Sequence, residues 1–186
     1  MTGGKSERMG RDKARLLIGE ELLGERQMRL LAGSCERWAA VAPVRPDWLS
    51  GAEEWVRDAD SGAGPASGIL GALEWARTGA ASHVIILAVD MPRATQGMLS
   101  SLLSDLRPGR GVVTTGDHGF EPLCACYPVE ALDSMRRQVN AGQNKMQTLT
   151  ALLVEDGVMA VRLLSPSERV DFFNLNTPED LARLEL

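Results

Sequence analysis

Apolar positions along the chain fall into two patterns that alternate: short continuous runs, and longer stretches with apolar residues three or four apart. This is the rhythm of strands in a parallel sheet crossed by helices, an α/β architecture. Leu22 to Cys35 is helical in spacing through Leu23, Leu30 and Leu31, and it precedes a strand at Trp38–Ala42 that Pro43 and Pro46 terminate. A second extended piece, Glu54–Asp58, runs into Ser61-Gly62-Ala63-Gly64-Pro65, where the glycines mark a loop and Pro65 a helix start. That helix places Ile69, Leu73 and Ala76 on one face. His83–Val89 is apolar on both faces, which predicts a central strand, and it ends in Asp90-Met91-Pro92. Helix over Gln96–Leu106, strands at Gly111–Thr115 and Pro122–Tyr127 around a turn at Gly116–Gly119, and helices over Val129–Val139 and Lys145–Val154 follow. The strand Val158–Leu163 comes next. Thr177-Pro178-Glu179-Asp180 opens the last helix, with Thr177 as N-cap, Pro178 in the first helical position and Asp180 closing a capping box.

No repeat, linker or low-complexity tract interrupts this order, so residues 1–186 read as a single domain of ordinary size. Hydrophobic residues make up 44% and charged residues 24%, values of a globular protein. The chain has no run of ~18 apolar residues and no apolar leader, which makes the expected location cytoplasmic, away from membranes. A net charge of -5 argues against a general nucleic-acid surface, which needs excess Lys and Arg. Of the three cysteines, Cys124 and Cys126 share a face if they lie in a strand and read as a buried reduced pair used for packing. His83 and His118 are the only histidines, and neither stands at zinc-site spacing from these thiols. Trp38, Trp48, Trp55 and Trp75 stand in or beside expected elements and read as core or edge residues.

Chemistry concentrates at the start. Gly3 and Gly4 lack side chains that would hold a phosphate away from the backbone N–H groups, and Arg8, Gly10 and Lys13 follow. Gly4-Lys5-Ser6 resembles the end of a P-loop, but the earlier glycine of that motif would precede Met1, and the P-loop reading fails. What remains is a Gly-Gly turn offering N–H donors and two cations to a triphosphate, a loop type that also occurs without a ligand.

Gly3-Gly4-Lys5-Ser6-Glu7-Arg8-Met9-Gly10-Arg11-Asp12-Lys13 resembles the signature of the molybdenum cofactor guanylyltransferase family, usually met as L-A-G-G-x-S-x-R-M-G-x-D-K. The likeness continues through Gly64-Pro65 with Gly68-Ile69, Asp90-Met91-Pro92, Glu121-Pro122-Leu123 and Phe173-Asn174-Leu175-Asn176-Thr177-Pro178, in the family's order and nearly end to end. The resemblance implies a three-layer α/β/α, Rossmann-like domain of the glycosyltransferase-A type with a mostly parallel sheet. It further implies transfer of GMP from Mg-GTP to the phosphate of molybdopterin, with release of pyrophosphate. Transient contacts with other cofactor-biosynthesis or molybdoenzyme-maturation proteins would accompany that role.

Position by position, the resemblance implies that Met1, Thr2, Gly3 and Gly4 line the nucleotide, that Lys13 contacts its phosphates, and that Arg8 is a further phosphate residue. Asp58 matches a nucleotide-contacting Asp, and Asp90 a magnesium ligand, with Asn174 or Asn176 assisting the metal or the acceptor. Asp90 also follows an apolar strand, at the end where ligands bind in open α/β sheets. Local alternatives exist for each: Asp90 as a loop cap, Asp58 as a solvated charge, and the two asparagines as organisers of the turn into the last helix.

The chain departs from the family at two places. An apolar strand precedes the family's Gly-Gly loop, whereas here Met1 stands where its last residue would be, so the first strand is expected to be truncated and pairing edges left exposed. The family's Asn after the second strand is matched by about Ala42, whose side chain offers no amide hydrogen bonds to a base. Three functions therefore stay open: guanylyl transfer, a related cytidylyl- or sugar-phosphate nucleotidyltransferase, and a non-catalytic nucleotide-binding paralogue.

Overall fold

The computed structural model describes residues 1, 12–49, 54–58 and 63–184. A one-turn 3-10 helix, Lys13–Arg15, leads into a small hairpin of β1 (Leu17–Ile18) and β2 (Glu21–Leu22). Then come α1 (Leu23–Ala32), β3 (Ala39–Ala42), β4 (Glu54–Arg57), α2 (Pro65–Thr78), β5 (His83–Leu87), α3 (Gln96–Ser104) and β6 (Gly111–Gly116). The chain continues through β7 (Gly119–Pro128), α4 (Ala131–Asn140), α5 (Met146–Glu155), β8 (Met159–Leu163), a 3-10 turn at Glu168–Val170, and α6 (Pro178–Ala182). The elements expected from the hydrophobic pattern are present with ends shifted by a few residues. The β1–β2 hairpin and the 3-10 turns are additions, because elements of two or three residues carry no readable periodicity. No helix among the described residues is long and apolar enough to cross a membrane.

Strand alternation builds the layers. Val84 and Ile86 of β5 pack with Ile69, Leu73 and Ala76 of α2, Leu132 and Met135 of α4, and Leu149 and Leu153 of α5. Leu87 and Ile85 point the other way, toward Leu30 and Leu31 of α1 and Met98, Leu99 and Leu102 of α3. Each such side chain taken from water contributes ~1.5–3 kcal/mol. Two cores on opposite faces of one sheet give the expected α/β/α arrangement.

The sheet keeps the expected common direction in β5, β6 and β8, with β7 reversed, and corrects one expectation. It is mixed: in the four-stranded order β5-β7-β6-β8, β7 is antiparallel to both neighbours and β8 is parallel to β6, while β3 and β4 form a separate parallel pair. The reason is the tight turn between β6 and β7, where Gly119 takes φ +96° and the chain can only return antiparallel. The correction concerns β5, which among the described residues ends the four-stranded sheet instead of lying at its centre. Helices on both faces, rather than flanking strands, account for its apolar character. Its outer edge faces a hollow of about 470 Å3 whose lining includes Ala39, Val41, Ala76, Ile85 and Leu87. Met1 pairs along this edge as a single residue: its amino group donates to the Leu87 carbonyl at 2.7 Å and its carbonyl accepts from Val89 N–H at 3.0 Å.

Cys124 and Cys126 are free, buried thiols of β7, and burial pushes both upward in pKa, Cys126 to about 12. They behave as small apolar residues. Trp48 packs beside Leu49, Trp55 donates to the Ala42 carbonyl at 3.1 Å, and Trp75 donates to Glu54 at 2.8 Å, so these three serve packing and loop tethering. Trp38 is the most exposed of them.

Candidate active site

Asp90 stands three residues beyond β5, in a segment whose backbone is held on several sides. Ala88 N–H bonds the Leu123 carbonyl at 2.8 Å, Val89 N–H bonds Met1, and the Asp90 carbonyl accepts from Leu175 N–H at 2.7 Å. Just beyond, the amide of the buried Gln27 on α1 donates to the Met91 carbonyl at 2.7 Å, and Arg26 donates to the carbonyls of Pro92 and Ala94. Leaving such a buried carbonyl unbonded costs ~1–3 kcal/mol. The Asp90 carboxylate is thereby presented from a rigid turn while its own oxygens stay partly open.

Lys13 is aimed by the residue before it. Asp12 accepts from Ala14 N–H at 3.0 Å, starting the 3-10 turn, and Ala14 is fully buried with Leu16, Leu23, Val89 and Leu175. The lysine projects from this anchored turn and places its ammonium 3.4 Å from Asp90 Oδ2 and 2.9 Å from Asn176 Oδ1. Its side chain is 14% exposed and that of Asp90 26%. Sequence spacing could not have joined Lys13 to Asn176. The signal that existed was the capping box that fixes the chain just after Asn176.

Met1 and Asp58 complete the cluster from the side of α2. The Met1 amino group is lowered to about 6 by its burial, against the opposing charges of Asp90 and Asp58. Asp58 follows β4, where its N–H bonds the Ala42 carbonyl at 3.3 Å, and partial burial raises its carboxyl above the usual range while the Met1 ammonium works against that. Gly68 on α2 permits this approach: a Cβ there would collide with the Met1 side chain and lie 3.5 Å from the Asp58 carboxylate. Met1, Asp58, Asp90, Lys13 and Asn176 are thus brought together, and Asn174 lies half-buried in the same extended segment. Thr2, Gly3, Gly4 and Arg8 lie outside the described residues.

Glu121 is a further member, quoted in the sequence only as part of a motif. It sits in β7, where burial raises its carboxyl pKa; His118 opposes the shift and the charge of Asp90 adds to it. A carboxyl raised in the folded state loses stability for the fold as pH climbs from its ordinary value through the raised one. Glu121→Gln lacks that loss. Its thermal midpoint relative to wild type should therefore be highest at neutral pH and decline toward wild type near pH ~4. A relative midpoint that instead improves in acid would overturn this account of Glu121.

The oxygen-only character of the open donors suits a hard cation. Among the described residues no group of three His, Cys, Asp or Glu side chains could hold a metal by itself. A single carboxylate fits magnesium that draws its remaining oxygens from phosphate and water.

Comparison with known proteins gives this cluster a context. The family model described as the MobA-like NTP transferase domain matches residues 1–157. A probable molybdenum cofactor guanylyltransferase of Opitutus terrae is 39% identical over 184 residues, covering 98% of this chain and 91% of that protein. A molybdenum cofactor guanylyltransferase of Cereibacter sphaeroides is 32% identical over 186 residues, covering 100% and 93%. Among solved structures, molybdopterin-guanine dinucleotide biosynthesis protein A from Archaeoglobus fulgidus superposes with a TM-score of 0.75 at 22% identity, over 99% of this chain and 94% of that one. The 2-C-methyl-D-erythritol 4-phosphate cytidylyltransferase of Thermus thermophilus gives 0.67 at 15% identity, over 93% and 92%. These two structural likenesses speak for the fold, and the sequence matches go further: the chain belongs to the MobA-like NTP transferase family and is a nucleotidyltransferase.

Proposed function

We propose that the protein transfers GMP from Mg-GTP to the phosphate of molybdopterin, forming the guanine dinucleotide cofactor and releasing pyrophosphate. The observation that carries this reading is the meeting of Lys13 and Asp90 at the carboxyl end of β5, in a chain whose relatives bear the guanylyltransferase name. An oxygen of the acceptor phosphate attacks the α-phosphorus of GTP, a new P–O–P linkage forms, and the bond to the β-phosphate bridging oxygen breaks with its electrons leaving on pyrophosphate. The acceptor phosphate is mostly dianionic at neutral pH, since its second ionisation lies near pH ~6, so no general base is needed. The obstacle is repulsion between two anions.

Neutralising and aligning those anions falls to the cluster. Lys13 supplies a compact cation to the phosphates, with Arg8 and the N–H groups of Thr2, Gly3 and Gly4 joining it. Asp90 would hold magnesium, which when bound would screen the triphosphate and polarise its phosphoryl oxygens. Asp58 and Met1 border the nucleotide.

Ala42 favours keeping the base open. Its side chain is a methyl group, and its carbonyl is already taken by Asp58 N–H and Trp55 Nε1, so this position gives a purine edge no amide. The deciding experiment supplies molybdopterin with GTP or CTP and follows pyrophosphate release and product mass. Dinucleotide formation with GTP at least tenfold faster than with CTP is expected. Preference for CTP would move the protein to the cytidylyl branch, and nucleotide binding without turnover would make it a non-catalytic member.

A further inference from the structure

The three members of the Lys13–Asp90–Asn176 contact are not equally matched. Charge-assisted N–H···O bonds have lengths of about 2.7–2.9 Å. The Lys13 ammonium meets the amide oxygen of Asn176 at 2.9 Å and the Asp90 carboxylate at 3.4 Å. The ammonium carries three donors and serves both acceptors at once, with its shorter contact to the neutral amide. That sharing needs the backbone at Asn176 to be held, and it is. Asp180 Oδ2 accepts from the N–H groups of both Asn176 and Thr177 at 2.9 Å, Thr177 Oγ1 accepts from Asp180 N–H at 3.3 Å, and the buried Leu175 is bonded to the Asp90 carbonyl. The segment is clamped to the turn that carries Asp90 and also reaches over to Lys13. It lies beyond residue 157, where the matching family model stops.

We infer that Asn176 is a positioning residue for Lys13: by sharing the ammonium with Asp90 it keeps it from settling on the carboxylate alone, so that Asp90 retains oxygen for a cation and the ammonium is held toward the phosphates. The inference rests on the reading of this cluster as the nucleotide site. It differs from a direct role of Asn176 toward metal or acceptor, because all of its effect passes through Lys13. Without the Asn176 amide, the ammonium closes on Asp90 and competes with the metal for the same oxygens.

A double-mutant cycle separates these cases. Binding of Mg-GTP is measured by calorimetry for wild type, Asn176→Ala, Lys13→Met and the double variant, with thermal midpoints recorded to confirm folding. Asn176→Ala should weaken Mg-GTP about tenfold and raise the magnesium concentration needed for half-maximal binding by a similar factor. In the Lys13→Met background the same substitution should change affinity less than about twofold. Asn176→Asp, which keeps an acceptor for Lys13, should recover most of the affinity lost in Asn176→Ala. Independent, multiplying effects of the two substitutions, or an Asn176→Ala protein that binds as wild type does, would overturn the inference while leaving the nucleotide site standing. A wild type that binds no Mg-GTP would overturn both.

Discussion

Turnover of Asp90→Ala should fall ~10²–10³-fold while the protein still folds, the loss typical when one group that stabilises transition-state charge is removed. The fold is insensitive because what ties residue 90 to its neighbours is backbone: its carbonyl accepts from Leu175, and the flanking residues pair with Met1 and Leu123. Alanine keeps all of these. What disappears is the oxygen donor at the mouth of the candidate site and its charge beside the Met1 amino group. Asp90→Asn preserves the shape without the charge and should be nearly as slow, since an amide is a poor ligand for a hard dication. Assays of pyrophosphate release across a magnesium series check this, and raising magnesium should restore part of the lost rate by mass action. Near-normal turnover of Asp90→Ala at ordinary magnesium would remove the metal from this residue.

Lys13→Met should lose ~10²-fold in kcat/KM for GTP, and added magnesium should not restore it. Methionine keeps an apolar stem on the capped turn, and the ion pair lost with the ammonium is partly exposed, so its contribution to stability is at most ~1 kcal/mol. The catalytic loss is larger because the ammonium counters charge that builds as pyrophosphate departs, in a place where it needs no reorganisation to do so. Part of the effect should therefore appear in kcat and not only in KM. A variant with altered KM alone would reduce Lys13 to an anchor for the ground-state triphosphate. The different response to magnesium tells the two variants apart: on the proposed reading one lacks the metal's ligand, the other a cation that metal cannot replace.

Much of the fold was legible in the chain because local rules and tertiary needs agree there. The α2 stripe of Ile69, Leu73 and Ala76 is buried as its spacing predicts, and the Thr177–Asp180 capping box forms with both bonds in place. The sheet was less legible. A both-face apolar strand signals burial, and β5 is buried, but helices alone can supply that burial, so the pattern could not say which strands flank it. The antiparallel course of β7 depends on a four-residue turn whose consequence is global, since it inserts a reversed strand between β5 and β6.

The sequence by itself determined the α/β class, the family resemblance and the residue types expected at the candidate site: paired glycines with cations, a carboxylate after an apolar strand, an asparagine pair before a capped helix. These follow from chemistry and spacing over short distances, where neighbours along the chain are neighbours in space. Only the tertiary structure decided that Lys13, Asp90 and Asn176 share one contact, that Glu121 stands within reach of the Asp90 charge, and that Met1 is the residue paired against the outer edge of β5. Residues 13 and 176 meet because their neighbours Ala14 and Leu175 pack in one small core with Leu16, Leu23 and Val89 just beyond β5, and no local propensity encodes that meeting.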